Sequence, residues 1–172
     1  MQLHRRALLQ RATAVLGTLA TIRIVGTDVL FAQGATPGAP PAQKPPPLAP
    51  ELVKDFVSAA HTKLDVTKQM LIDEPRLINA TWDWGGGDFE TALGGASHMG
   101  RPDIAAVLLA AGARMDVFCA TMMGKTDVVK ACIADTPSII HVKGPHGISL
   151  LRHAVMGKQD AIATLLTNAG AT

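Results

Sequence analysis

With 172 residues, 48% of them apolar, the chain is long enough for one domain with a substantial core, and its two Trp, four Phe and no Tyr leave that core to Ala, Leu, Val and Ile. That balance favours helices. Setting aside Arg5, Arg6, Arg11, Arg23 and Asp28 from the 16 basic and 14 acidic side chains leaves 12 and 13, so the formal +2 belongs to the first segment and the remainder carries −1. No Lys/Arg stripe interleaved with aromatics remains, which excludes a nucleic-acid-binding surface.

The chain opens His4-Arg5-Arg6-Ala7-Leu8-Leu9-Gln10, followed by a mildly apolar Ala/Leu/Thr/Gly stretch. This resembles a twin-arginine export signal, with Arg5 and Arg6 as its specific part. The resemblance implies an exported, periplasmic protein of a bacterial type, with residues 1–33 as the signal and cleavage after Ala32 or Gly34. Arg23 and Asp28 interrupt the apolar run, which argues against a stable transmembrane span because charges at bilayer depth are costly.

From Thr36 to Pro50 the chain places seven of its eleven prolines. Such a segment buries no core and holds an extended, semi-rigid form, so residues 34–50 read as a linker and the folded domain as 51–172.

Internal repetition organises that domain. Thr91-Ala92-Leu93, Ala96, Gly100, Asp103-Ile104, Leu108-Leu109 and Gly112-Ala113 follow one another at the spacing of an ankyrin repeat, which this segment resembles closely. Aligning a turn residue with the acid three positions later gives Thr62 with Asp65-Val66, Gly100 with Asp103-Ile104, Gly124 with Asp127-Val128 and Gly157 with Asp160-Ala161. The last two turns are 33 residues apart, the earlier spacings 38 and 24, so one connection is lengthened and one shortened. Asp73-Glu74-Pro75-Arg76-Leu77-Ile78 and Asp135-Thr136-Pro137-Ser138-Ile139-Ile140 also match. The resemblance implies an all-α, ankyrin-like helical-repeat solenoid of about four repeats with short β-hairpin or loop fingers, although the Thr-Pro-Leu-His start of that family is missing from repeats one and three.

Physical reasons point the same way. Ile104, Val107 and Leu108, or Val128, Val129 and Ile133, lie at helical spacing, and neither helix hides that face alone. Gly100, Gly124 and Gly157 are expected to supply left-handed turns, and Asp103, Asp127 and Asp160 to meet the positive end of the second helix.

The lengthened connection, Asn79 to Glu90, contains both tryptophans and Gly85-Gly86-Gly87. Trp82 and Trp84, two apart, point to one face of an extended strand, an arrangement suited to anchoring a partner; the competing expectation is that one folds back onto the neighbouring helix. In ankyrin domains the two residues before the turn face the groove, which carries over to Ala60-His61, His98-Met99, Met122-Met123 and Val155-Met156. His61, His98, Met99, Met122, Met123 and Met156 are therefore expected to contact a partner, methionine being adaptable at such surfaces. The same set, in an exported protein, would also suit a soft metal such as Cu(I), although no zinc-type His/Cys spacing accompanies it. His141, His146 and His153 read as scattered, with His153 a packing residue.

Cys119 and Cys132, thirteen residues apart in the third repeat, are a candidate disulfide whose competing reading is two buried thiols. Catalytic motifs are weak: Gly124-Lys125-Thr126 lacks the earlier glycine of a phosphate loop, Gly95-Ala96-Ser97-His98-Met99 lacks the last glycine of a nucleophile elbow, and Asp83 with Asp88 is the best acid/base pair for a carbohydrate-acting enzyme. The sequence thus predicts a non-catalytic protein without a resident cofactor, mediating protein–protein interaction. The last helix, rich in Ala161, Ile162, Ala163, Leu165 and Leu166, is expected to self-associate or dock a partner.

Overall fold

Proline opens two of the helices, at positions where its missing N–H costs nothing. The computed structural model describes residues 44–172, so the signal-like segment with Arg5 and Arg6, and most of the linker, lie outside the described residues. Eight α-helices are described, in four helix–turn–helix pairs: α1 (Pro50–Ala59) with α2 (Leu64–Asp73), α3 (Ala92–His98) with α4 (Pro102–Ala110), α5 (Val117–Met122) with α6 (Thr126–Asp135), and α7 (Leu150–Met156) with α8 (Asp160–Asn168). The domain is predominantly helical, as its composition predicts. Its only described sheet is a hairpin of β1 (Thr81–Asp83) and β2 (Phe89–Thr91), with Trp82 opposite Glu90. Among the described residues no helix is long and apolar enough to cross a membrane.

The internal matches correspond to equivalent local structure. Thr91, Asp116 and Ser149 cap α3, α5 and α7 by accepting from the backbone N–H three residues on, at 3.0, 2.7 and 3.3 Å. Beyond each turn, the N–H of Arg101, Lys125 and Gln159 donates to the carbonyl of Ala96, Ala120 and Ala154, three buried alanines five residues back. Asp65, Asp103, Asp127 and Asp160 stand in the first turn of the second helices, where a carboxylate meets the helix dipole.

Two details differ from expectation. Gly100 and Gly124 are left-handed (φ 62° and 73°), but Gly157 has an ordinary right-handed φ of −79° and Lys158 takes the left-handed position. Gly157 is needed for a different reason: a Cβ there would collide with the Met122 carbonyl. Val128 is exposed, so the inward face of α6 is Val129 with half-buried Ile133.

Phe56, Leu77, Leu93, Ile104 and Leu108 dominate the core of the first two pairs, and Val129, Leu150, Ile162 and Leu166 that of the last two. Leu48 packs on the first cluster and the Pro46 carbonyl accepts from Arg76, so the linker's last residues belong to the fold. On the terminal helix Ile162 and Leu166 are buried and Leu165 half-buried, leaving Ala161, Thr164 and Thr167 outside; the apolar end is smaller than its composition suggests. The first helices form a row, α1 on α3, α3 on α5, α5 on α7, yet α7 also touches α3. A strictly linear stack, in which each unit meets only its neighbours, lacks that contact.

Candidate metal centre

The extra contact follows from unequal connections. The third pair is entered by a short link, Ala111–Asp116, with no finger of its own. The hairpin before α3 and the loop before α7 therefore meet, and Asp88 on the hairpin accepts two hydrogen bonds from His146 on the loop: from the backbone N–H to Oδ1 at 2.9 Å and from Nδ1–H to Oδ2 at 2.8 Å. His146 is left-handed (φ 58°), an unusual state for a side-chain-bearing residue, and the carboxylate clamps both its backbone and its ring.

Around this junction four potential ligands converge: His61 just past α1, Glu90 on β2, His98 at the end of α3, and His146. One ligand atom from each lies within 4.8 Å of all the others. His98 Nε2 is 2.9 Å from Glu90 Oε1 and 3.2 Å from His61 Nε2, while the Nε2 atoms of His61 and His146 are each 3.4 Å from Glu90 Oε2. Metal–ligand bonds of about 2.1 Å place donor atoms about 3.0–3.4 Å apart around an octahedral or tetrahedral ion, close to these four separations, and the remaining donor pairs lie within 4.8 Å.

The protonation pattern reinforces this. His61 Nδ1 is 2.9 Å from the Val57 carbonyl, which only accepts, so Nδ1 carries the proton. His146 Nδ1 donates to Asp88 in the same way. In their neutral forms both rings therefore turn an Nε2 lone pair toward the Glu90 carboxylate, the arrangement by which outer hydrogen bonds fix a metal-binding tautomer. Glu90 is 1% exposed. Its Oε2 accepts from Trp84 Nε1 at 2.8 Å, and Oε1 lies 2.9 Å from His98 Nε2, which also meets His61 Nε2 at 3.2 Å. A buried carboxylate ringed by three imidazoles is costly unless protons or a cation occupy the centre. Burial pushes the Glu90 carboxyl up, but hydrogen bonding and charge from His98, His61 and Trp84 outweigh it and hold the group below its usual range. The Asp88 carboxyl is likewise held low, chiefly by the His146 backbone N–H.

Local sequence makes room for the cluster. A Cβ at Gly95 would stand 2.8 Å from His61 Cε1 and 2.9 Å from Nδ1, so glycine lets this imidazole lie on the backbone of α3. A cleft of about 320 Å³ flanks the site, lined by Asp88, Phe89, Gly94, Phe118, Lys143 and Pro145 among others.

The residues expected to contact a partner are placed variously. His61 and His98 join the cluster, and His98 is largely buried. Trp84 is used by Glu90 and sets its ring edge-on to His61. Trp82 packs on the core of the first pairs with Lys54 Nζ 5.7 Å over its ring. Met122 is 1% exposed and lies in the core, so its side chain is not a surface contact; Met99 is exposed, and Met123 and Met156 are half-buried. Cys119 and Cys132 are free thiols, Cys119 buried with its thiol pushed up by desolvation. Asp83 and Asp88 have separate tasks, since Asp83 accepts from Gly85 N–H in the hairpin turn. His153 packs against Phe118, as expected.

Glu90 and His146 are the members that sequence reasoning did not collect. The available signal was the pair of irregular connections, one long and one short, which brings the second and fourth fingers together. No family model matches the chain, and no curated protein is detectably similar to it in sequence.

Proposed function

We propose that this chain is an exported, ankyrin-type helical-repeat protein that binds a divalent transition-metal ion through Nε2 of His61, His98 and His146 and the carboxylate of Glu90. The observation that carries the metal is the convergence of one ligand atom from each of His61, Glu90, His98 and His146, all within 4.8 Å of one another, around a buried carboxylate. The repeat class is supported by the shared caps, left-handed turns and alanine carbonyl acceptors of successive pairs. Export is supported by Arg5 and Arg6.

Three imidazoles and a carboxylate suit borderline ions such as Zn(II), Co(II) or Fe(II) better than Cu(I), which prefers sulfur. The test is titration of the chelator-stripped protein with Zn(II). One equivalent binds the wild type, Glu90→Gln and His98→Ala lose it, and Met123→Leu keeps it. Equal binding by all four proteins would refute the assignment, and loss only in the methionine variant would favour the soft-metal alternative.

Recognition of another protein is a second function that one observation favours. Met99 and Val155, which precede turns, are 38% and 52% exposed beside half-buried Met123 and Met156. It predicts capture of an exported partner that Met99→Asp abolishes while Zn(II) binding is unchanged.

A further inference from the structure

The four donors are unequally buried. The side chains of Glu90 and His98 are 0% and 7% exposed, those of His61 and His146 20% and 34%. The carboxylate and one imidazole thus form the floor of the centre, and the other two rings its rim. On the rim stands Trp84, 37% exposed, with its ring centroid 6.3 Å from that of His61 and 5.9 Å from that of His146. Trp84 leads into Gly85, Gly86 and Gly87, all left-handed, where an added Cβ would meet nothing within 4 Å.

We infer that an ion held here keeps a coordination position open to solvent beside Trp84 and takes a small anionic donor, such as a carboxylate, in exchange for water; this rests on the metal reading above. Structural metal sites are closed by protein ligands, whereas a site that works on an external molecule leaves a position for it. A divalent ion with three neutral imidazoles and one carboxylate has a first shell of net charge +1, which favours an anion over a neutral donor. Asp88 adds negative charge further out, but both its oxygens are occupied by His146. The indole edge limits the incoming group to a small one, and the glycines beside it leave that edge free to shift.

Co(II) and azide test this on the full chain. Co(II) reports its coordination through its visible absorption, and azide is a small anionic probe. The expected result is a Co(II) spectrum at one equivalent, then a saturable change in the visible bands with a new azide-to-metal absorption. Trp84→Phe, which shrinks the wall and removes the donor to Glu90, should hold Co(II) more weakly and, once saturated with Co(II), bind azide more tightly than the wild type. A Co(II) spectrum in the wild type that azide and acetate leave unchanged would mean a closed shell and overturn the inference alone. Absence of any Co(II) spectrum would overturn the metal reading, and the inference with it.

Discussion

Replacing Asp88 by Asn tests the site through a residue that donates no atom to it. The carboxylate receives two donors from one residue, His146 N–H on Oδ1 and His146 Nδ1–H on Oδ2. An asparagine has one acceptor and one donor end. Turned one way, its NH₂ opposes the backbone N–H, which has no alternative protonation state. Turned the other way, it opposes Nδ1–H, and the ring relieves the clash by moving its proton to Nε2, the atom needed for the metal. Either outcome costs the site a ligand or the left-handed backbone that presents it. Loss of an outer partner of this kind lowers metal affinity about 10- to 100-fold, or roughly 1.4–2.7 kcal/mol. The assay is competition for Zn(II) against a chromophoric chelator, with the circular dichroism of the metal-free protein as a control on folding. Wild-type affinity in a folded Asp88→Asn protein would refute both the tautomer argument and the place of His146 in the shell.

Three further outcomes are expected. Gly95→Ala places a methyl against the His61 ring, 2.8 Å from Cε1, and should weaken Zn(II) binding in competition titration while leaving helix content unchanged. Leu108→Ala removes a fully buried side chain from the larger core and should destabilise the domain by about 2–5 kcal/mol in urea unfolding, with unfolding cooperativity retained. His153 is fully buried with Nδ1 bonded to the Ser149 carbonyl and Nε2 unpartnered, and desolvation lowers its folded-state pKa. The unfolded chain therefore takes up a proton that the folded one resists, so stability falls as pH drops below about 6.5 toward the lowered folded value. Urea unfolding with chelator present should show a shallower loss between pH 7 and pH 5 in His153→Leu than in the wild type, and parallel curves would refute a neutral buried imidazole.

The helix pairs were legible because their signals are local. Each cap, turn and first-turn acid acts within five residues of itself, and apolar spacing declares which face needs a partner. Even the exception at Gly157 has a local counterpart, since Lys158 supplies the left-handed residue that glycine was expected to provide. The site was only half legible. His61 and His98 stood out because they precede turns, but Glu90 reads as an ordinary strand-end acid and His146 as one histidine of several. What joins them is separated by 58 residues, in the bond between Asp88 and His146, and depends on the third pair having no finger to hold the second and fourth apart. Connection lengths carry that information, but only once the stack is known to bring α7 against α3.

This also gives the tryptophans a reason to be in a glycine-rich connection of an aromatic-poor chain. The two are placed differently: Trp82 packs on the core of the first pairs, and Trp84 stays 37% exposed at the rim of the cluster. Trp82 covers the end of the first pair under Lys54, and Trp84 reaches across β2 to hold the Glu90 carboxylate with its indole N–H. An indole suits the second task because it offers one donor and no acceptor, so it satisfies Oε2 without adding a competing acceptor to the centre. Phenylalanine would lose the donor, and tyrosine would keep a donor and bring an acceptor with it. Glycine at 85 to 87 then lets the chain reverse immediately after so large a side chain, returning Asp88 and Glu90 within six residues of it to face His146 and the imidazole cluster.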